Sequence, residues 1–315
     1  MSGPRIAALG GGHGLAASLR ALRLVSEHLT AIVTVADNGG SSGRLRDELG
    51  VLPPGDLRMA LSALCDDTEW SHTWRDVLQH RFEGTGPLGG HALGNLLIVA
   101  LWELHDDPVV GLELVGRLLG ARGRVLPMAS VPLSISAQVR GADPTRPDDV
   151  TTVEGQAQVA TTQGEVRGIR LTPSDPPACE PAVKAVHKAD WVILGPGSWF
   201  TSVLPHLLVP DLCDALLGTR ARRMLTLNLE LHKGETAGFS AARHLETLTT
   251  HAPDMRFDVV LADPSVVDGD HSLRVAAQRL GADLVVSPVA KPGRPGQHDS
   301  LRLAAAYRDI IGIGG

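Results

Sequence analysis

Three glycine tracts in this chain each follow a short apolar run. Gly10-Gly11-Gly12-His13-Gly14 comes directly after Ile6-Ala7-Ala8-Leu9. Gly39-Gly40-Ser41-Ser42-Gly43 follows Ala31–Ala36 and the pair Asp37-Asn38. Gly195-Pro196-Gly197-Ser198 follows Trp191-Val192-Ile193-Leu194. Short apolar runs bounded by turn residues read as buried strands. Glycine loses more backbone freedom on folding than other residues, about 0.5–1 kcal/mol against alanine. Clustering it three times is unfavourable unless bare backbone is needed at those turns. A strand that enters a glycine turn and then a helix brings free N–H groups to a phosphate. The pattern therefore points to an α/β protein that binds a nucleotide or phosphosugar.

The 315 residues suit one large α/β unit or two domains. Hydrophobic residues make up 43% and aromatics 3%, so the core must be built from Leu, Val, Ala and Ile. A formal charge of -6 argues against a nucleic-acid partner, which calls for a basic face. Lysine occurs only at 184, 188, 233 and 291, so arginine, which can grip phosphate bidentately, carries most of the positive charge. Cys65, Cys179 and Cys213 lack metal-like or CxxC spacing and are expected to be reduced thiols of a cytoplasmic protein. The N-terminus leads straight into the first strand without a signal-peptide pattern. No apolar run reaches the roughly 20 residues needed to cross a bilayer, so no membrane insertion is expected.

Periodicity along the chain gives strand Arg5–Leu9, helix Leu15–Val25 and strand Ala31–Ala36, a βαβ opening that predicts a parallel sheet. Helices are expected near Gly43–Leu49, Leu57–Cys65, Trp70–Arg81, Ala92–Leu104 and Pro108–Leu119. From 124 to 172 the character changes to short stretches (Leu133–Val139, Gln156–Ala160, Val166–Leu171) between turns, read as a small β-rich insertion. Alternating helices and strands then resume up to a final helix over Asp299–Ile310. The fold class expected is a three-layer α/β/α, Rossmann-like, doubly wound sheet within one domain, 1–315, carrying that insertion.

The tract Gly10–Gly14 is neither a dinucleotide fingerprint, because Leu15 stands where its last glycine belongs, nor a P-loop, because no Gly-Lys-Ser/Thr occurs. Asp37 ends a strand, where a carboxylate can meet a ribose hydroxyl, a metal or a substrate proton. Ser41, Ser42, Arg44 and Arg46 add hydroxyls and positive charge to that loop. Asp56 is read either as a helix N-cap or, with Arg58, as part of the same crevice. His91 and Asn95, one turn apart, are read either as a site wall or as a buried, mutually satisfied pair. Ser198 heads a second phosphate cradle or caps a helix. Asn228 ends a strand, and Glu235 is read as a cap.

In order along almost the whole chain, these tracts resemble one family. Gly10–Leu15, Val33–Arg46, Leu52–Arg58, Gly90–Leu96, Leu194–Ser198 and Gly234–Phe239 look like the gluconeogenesis-factor family, also called YvcK-like or GlmR/CuvA. That family is similar in fold to the CofD-like 2-phospho-L-lactate transferases. The resemblance implies a cytoplasmic protein that binds a UDP-sugar, UDP-N-acetylglucosamine or UDP-glucose. Such a protein would regulate carbon flux into cell-wall precursors and cell shape through a protein partner. A homodimer is expected from exposed apolar helix faces. An alternative activity is transfer of a phosphorus-containing group: uridylyl transfer making UDP-GlcNAc, or phospholactyl-type transfer. No cofactor is required for binding, and Mg²⁺ would serve the transferase.

Carried onto this sequence, the resemblance assigns Gly10, Gly11, Gly12, His13, Gly14, Gly195, Gly197, Ser198 and Asn228 to the nucleotide. It assigns Asp37, Asn38, Gly39, Gly40, Ser41, Ser42, Arg44, Asp56, Arg58, His91, Asn95 and Arg294 to the sugar or acceptor side, with Asp37 catalytic in the transferase case. Four departures stand out. The family usually has a second aspartate at Asn38, often threonine at His13, a small residue at Lys233, and arginine directly before His-Asp, where Gln297 precedes His298-Asp299 here.

Overall fold

In a computed structural model of the chain, residues 3–312 are described, apart from 144, 232–233, 237 and 268–270. Lys233 lies outside the described residues. The strands are β1 (Ile6–Gly10), β2 (Leu29–Val33), β3 (Arg124–Pro127), β4 (Ser134–Arg140), β5 (Val150–Glu154), β6 (Glu165–Thr172), β7 (Trp191–Leu194), β8 (Arg222–Thr226), β9 (Val259–Ala262), β10 (Asp283–Val286), β11 (Ala290–Lys291) and β12 (Arg294–His298). The helices are α1 (Gly12–Leu22), α2 (Gly40–Leu49), α3 (Pro54–Ala63), α4 (Glu69–Gln79), α5 (Leu93–His105), α6 (Pro108–Leu118), α7 (Gln156–Thr161), α8 (Glu180–Lys188), α9 (Pro210–Gly218), α10 (Ala241–His251), α11 (Pro264–Val267), α12 (His271–Arg279) and α13 (Ser300–Ile311).

Seven strands form one parallel sheet in the order β10-β9-β8-β7-β1-β2-β3. Every residue of β1, β7 and β9 is buried, as expected for strands covered by helices on both faces. The chain steps outward from β1 to β2 and β3, then returns to the other side of β1 as β7 and steps outward again to β10. Right-handed crossovers place the helices of these two halves on opposite faces. The reversal falls between β1 and β7, whose ends are in register, Leu9 opposite Leu194. The first and third glycine tracts therefore leave the sheet side by side at its topological switch point, the place where open α/β sheets bind ligands.

The expected β-rich insertion at 124–172 begins later. Arg124–Pro127 is the edge strand of the central sheet, paired with β2, and the separate antiparallel sheet is β5-β4-β6. The buried pair Val125-Leu126 is too short to tell a parallel edge strand from the strands after it. Gln156–Ala160, expected as a strand, belongs to helix α7; Gly155, at φ +94°, turns the chain into it, and only Val159 is buried. The β11–β12 hairpin carries no apolar alternation and was not foreseen. No single helix among the described residues is long and apolar enough to cross a membrane.

The C-terminal helix is fastened by one buried phenol. Tyr307 Oη on α13 lies 2.9 Å from Ser18 Oγ of α1 and 3.1 Å from Thr226 Oγ1 of β8. Burial pushes its pKa up to about 12, so it stays a neutral donor and acceptor. Tyr307→Phe should keep the ring packing, strip both hydroxyls of this partner and lower stability by about 1–2 kcal/mol. Urea denaturation checks this; an unchanged midpoint would show that the hydrogen bonds contribute nothing.

Candidate functional site

At the switch point the first and third glycine turns touch. A Cβ on Gly14 would collide with the Pro196 carbonyl and stand 2.6 Å from Gly197 Cα, so only glycine fits. Asn228, at the end of β8, clamps the second partner: Gly197 N–H donates to Asn228 Oδ1 (2.8 Å) and Asn228 Nδ2 donates to Gly197 O (2.7 Å). Its amide thus holds the turn. The N–H groups of a helix's first turn have no intrahelical acceptor. In α1, Gly12 N–H is taken by Asp56. Among the described residues, the N–H groups of His13, Gly14 and Ser198 meet no acceptor. These three residues line one cavity of about 470 Å³, closed by Asn228–Glu230 and by Gly296–His298 of β12.

Two carboxylates stand beside this cradle. Asp37 Oδ1 accepts from Gly39 N–H at 2.8 Å, and burial, outweighing its hydrogen bonds, raises its pKa. Asp56 is not an N-cap, because α3 already starts at Pro54. Its carboxylate instead crosses to α1, where Oδ2 accepts from Gly12 N–H at 2.9 Å. A Cβ on Gly11 would stand 2.7 Å from that oxygen. Burial, then the negative charge of Asp37, pushes the Asp56 pKa up to about 7. Behind the pair, Gly55 N–H donates to Ser42 Oγ (2.7 Å), which fastens the start of α3 to that of α2. The described residues hold no cluster of three or more His, Cys, Asp or Glu side chains able to cage a metal. Asp37 and Asp56 are nevertheless the donor type through which Mg²⁺ is held when phosphate oxygens and water complete its shell.

Comparison with known proteins identifies the family. The sequence matches the 2-phospho-L-lactate transferase CofD family over residues 6–286. A putative gluconeogenesis factor of Mycobacterium tuberculosis is 52% identical over 308 residues, 97% of this chain and 90% of that protein. This chain belongs to the gluconeogenesis-factor group of the CofD family. The gluconeogenesis factor of Halalkalibacterium halodurans is 37% identical over 270 residues, 86% of this chain and 79% of its own length. A crystal structure of a UPF0052-family protein from Bacillus halodurans superposes with a TM-score of 0.85 at 32% identity, covering 97% of this chain and 99% of that one.

Several residues assigned to the sugar side of this family member are engaged in hydrogen bonds of their own. Ser41 Oγ is 3.0 Å from His91 Nδ1 and accepts from Asn95 Nδ2 (2.9 Å). Asn95 Oδ1 in turn accepts from Arg58 Nε (2.8 Å), and Arg58 also bonds Gln79. All four of Ser41, His91, Asn95 and Arg58 are buried, so the satisfied-network reading is the one observed. Arg44 donates to Gly89 O (2.7 Å) and Pro87 O (3.3 Å), pinning the glycine bend before α5. Asn38 ties the second tract to the insertion: its Oδ1 accepts from Ala157 N–H (3.1 Å) and its Nδ2 donates to Gln158 Oε1 (3.2 Å) of α7. A carboxylate there could accept the first bond but not donate the second. Arg294 is exposed at the start of β12, whereas Gln297 and His298 of the same strand face the cavity. Gly39 and Gly40 lead into α2, with Gly40 at φ +51°.

Ser198 keeps its place on the cavity wall and donates from Oγ to Glu235 Oε1 (2.6 Å). The same oxygen accepts from Phe200 N–H (3.0 Å), so Glu235 caps the single π turn at Trp199–Val203. Arg20, not foreseen as a site residue, also lines the cavity. It shares a face with His13 and Ala17 once α1 is known to start at Gly12; a helix read as starting at Leu15 hides that alignment.

A folded-state pKa of about 7 for Asp56 lies above the unfolded value of about 3.9. The folded protein therefore holds this proton longer, and the group's contribution to stability is lost as pH rises from about 4 towards 7. Asp56→Asn, which can still accept from Gly12, should be more stable than the parent at pH 8, by at least on the order of 1 kcal/mol, because it removes a buried charge without removing the acceptor. The gap should shrink at pH 5. Thermal denaturation at the two pH values checks this; a variant less stable at pH 8 than at pH 5, relative to the parent, contradicts it.

Proposed function

We propose that this chain is a cytoplasmic UDP-sugar-binding protein, with UDP-N-acetylglucosamine or UDP-glucose as ligand. Through a protein partner, its occupancy would regulate carbon flux into cell-wall precursors and cell shape. The observation that carries this reading is that His13, Gly14 and Ser198, whose N–H groups meet no acceptor among the described residues, line one cavity at the switch point. A diphosphate supplies the acceptors they lack. Hydrogen bonds to a charged group contribute about 1.5–3 kcal/mol each, and the start of α1 adds about 0.3–1 kcal/mol. The gluconeogenesis-factor relatives support the role, and the resemblance supports the choice of a uridine nucleotide.

A panel of UDP-, GDP- and ADP-sugars read by thermal shift and titration calorimetry tests this. A UDP-sugar at a hundred times its dissociation constant should stabilise the fold by about 2.7 kcal/mol. Gly14→Ala, whose methyl would force the two turns apart, should abolish that gain. No stabilisation by any nucleotide sugar would contradict the proposal.

A second reading is favoured by the Asp37–Asp56 pair, and the CofD family's transferase name agrees with it. In uridylyl transfer, a sugar 1-phosphate oxygen attacks the α-phosphorus of UTP and pyrophosphate leaves. Phospholactyl-type transfer from a guanylylated donor would use the same cradle. Mg²⁺, held by Asp37 and Asp56, would screen the charge on the phosphates. Asp37 would bind it, and Asp56, bonded to Gly12 N–H, would also orient the first turn. Pyrophosphate release that needs Mg²⁺ and falls at least about a hundredfold in Asp37→Ala is the expected sign of such catalysis. Equal inactivity of both proteins rules it out.

A further inference from the structure

We infer that Arg20 reads the edge of the nucleobase and selects bases that present a ring carbonyl, uracil or guanine, over adenine. This rests on the nucleotide reading of the cavity and extends it to a residue that the glycine tracts do not include.

Arg20 lies eight residues beyond Gly12 on α1, so its Cα is about 12 Å further along the helix axis at 1.5 Å per residue. It lines the same cavity as His13, Gly14 and Ser198. A phosphate held by the first-turn N–H groups is thus separated from Arg20 by about two helical turns. The group of the ligand that meets Arg20 is therefore its other end. Ala17 on α1 and Leu229 after β8 give the intervening cavity apolar surface for a flat ring. With the sugar assigned to the Asp37 side on the proposed reading, the base is left for the Arg20 end of the cavity.

The guanidinium is also unengaged. Among the described residues it has no hydrogen bond or ion pair. Its two arginine neighbours are each paired, Arg23 with Asp67 (2.5 Å) and Arg75 with Asp76 (2.8 Å). Partial burial, then the charges of Arg23 and Arg75, lowers the pKa of Arg20. An arginine in the last turn of a helix also offsets the helix dipole, but that role is served equally from open solvent. A fork of donors lining this cavity fits an edge rich in acceptors. Guanine offers O6 and N7 and uracil offers O4, whereas adenine sets an amino donor beside N7 and repels half of the fork.

The test is calorimetric titration of UMP, UDP, GDP and ADP into the parent, Arg20→Ala, Arg20→Gln and Arg20→Lys. Circular dichroism confirms the fold of each; Arg20 is exposed, so all four should be folded. Arg20→Ala should weaken UMP, UDP and GDP by about tenfold. ADP binding should change less than threefold, so the preference for oxo-bases collapses. Arg20→Gln should recover part of the preference without the charge. Equal weakening of ADP and UDP would make Arg20 a phosphate contact, and no weakening of either would leave it outside the site; each overturns the inference while the nucleotide reading stands. Failure of the parent to bind any of the four overturns both.

Discussion

The backbone of Gly14 lies against that of Pro196 and Gly197, and no side chain could stand between them. This contact is possible because β1 and β7 are neighbours in the sheet although far apart in sequence. The reversal of strand order opens a crevice there, and Gly14 and Gly197 let two turns close its floor. The rest of the site depends on that closeness. Asn228 can reach Gly197 only from the end of the next strand, and His13, Gly14 and Ser198 line one volume only because the turns touch.

The second glycine tract completes the site in a different way. It offers little to the cavity directly and positions the two carboxylates beside it. Ser42 fastens α3 against α2, and α3 then delivers Asp56 to the first turn of α1. Placing Asp56 next to Asp37 in a partly desolvated crevice is unfavourable on its own, and the elevated pKa of Asp56 records that. A proton, or a divalent cation accompanying phosphate, would relieve it. The buried chain from Ser41 through Asn95 to Arg58 holds α2, α3 and α5 in register behind the carboxylates. Asn38 binds the loop to α7. The insertion is thereby coupled to the site mechanically, without adding charge to it.

Much of this was legible in the sequence, because apolar runs ending in glycine tracts are a local signal with few alternatives. The doubly wound sheet, the placing of two tracts at its carboxyl edge and the family resemblance all rest on that signal. What the sequence hid was the direction of particular side chains. Asp56 has the chemistry of an N-cap, but a proline-led helix starts two residues earlier and turns it towards Gly12. His91 and Asn95 have spacing that fits a site wall as well as a core, and only the tertiary position of Ser41 decides between them. Arg20 stays hidden when the periodicity starts the helix at Leu15, three residues after its first residue Gly12. β12 carries the cavity-lining Gln297 and His298 on a polar hairpin whose pairing has no hydrophobic period to announce it.

The central claim is that the touching turns embrace a diphosphate, and a crystal structure of the protein soaked with UDP-N-acetylglucosamine tests it most directly. The account predicts diphosphate oxygens accepting from the N–H groups of His13, Gly14 and Ser198, with the base towards Arg20 and the sugar towards Asp37. A diphosphate seated instead in the cleft of about 510 Å³ at the opposite, amino edge of the sheet, beside Arg5, Arg124 and Lys188, would contradict it.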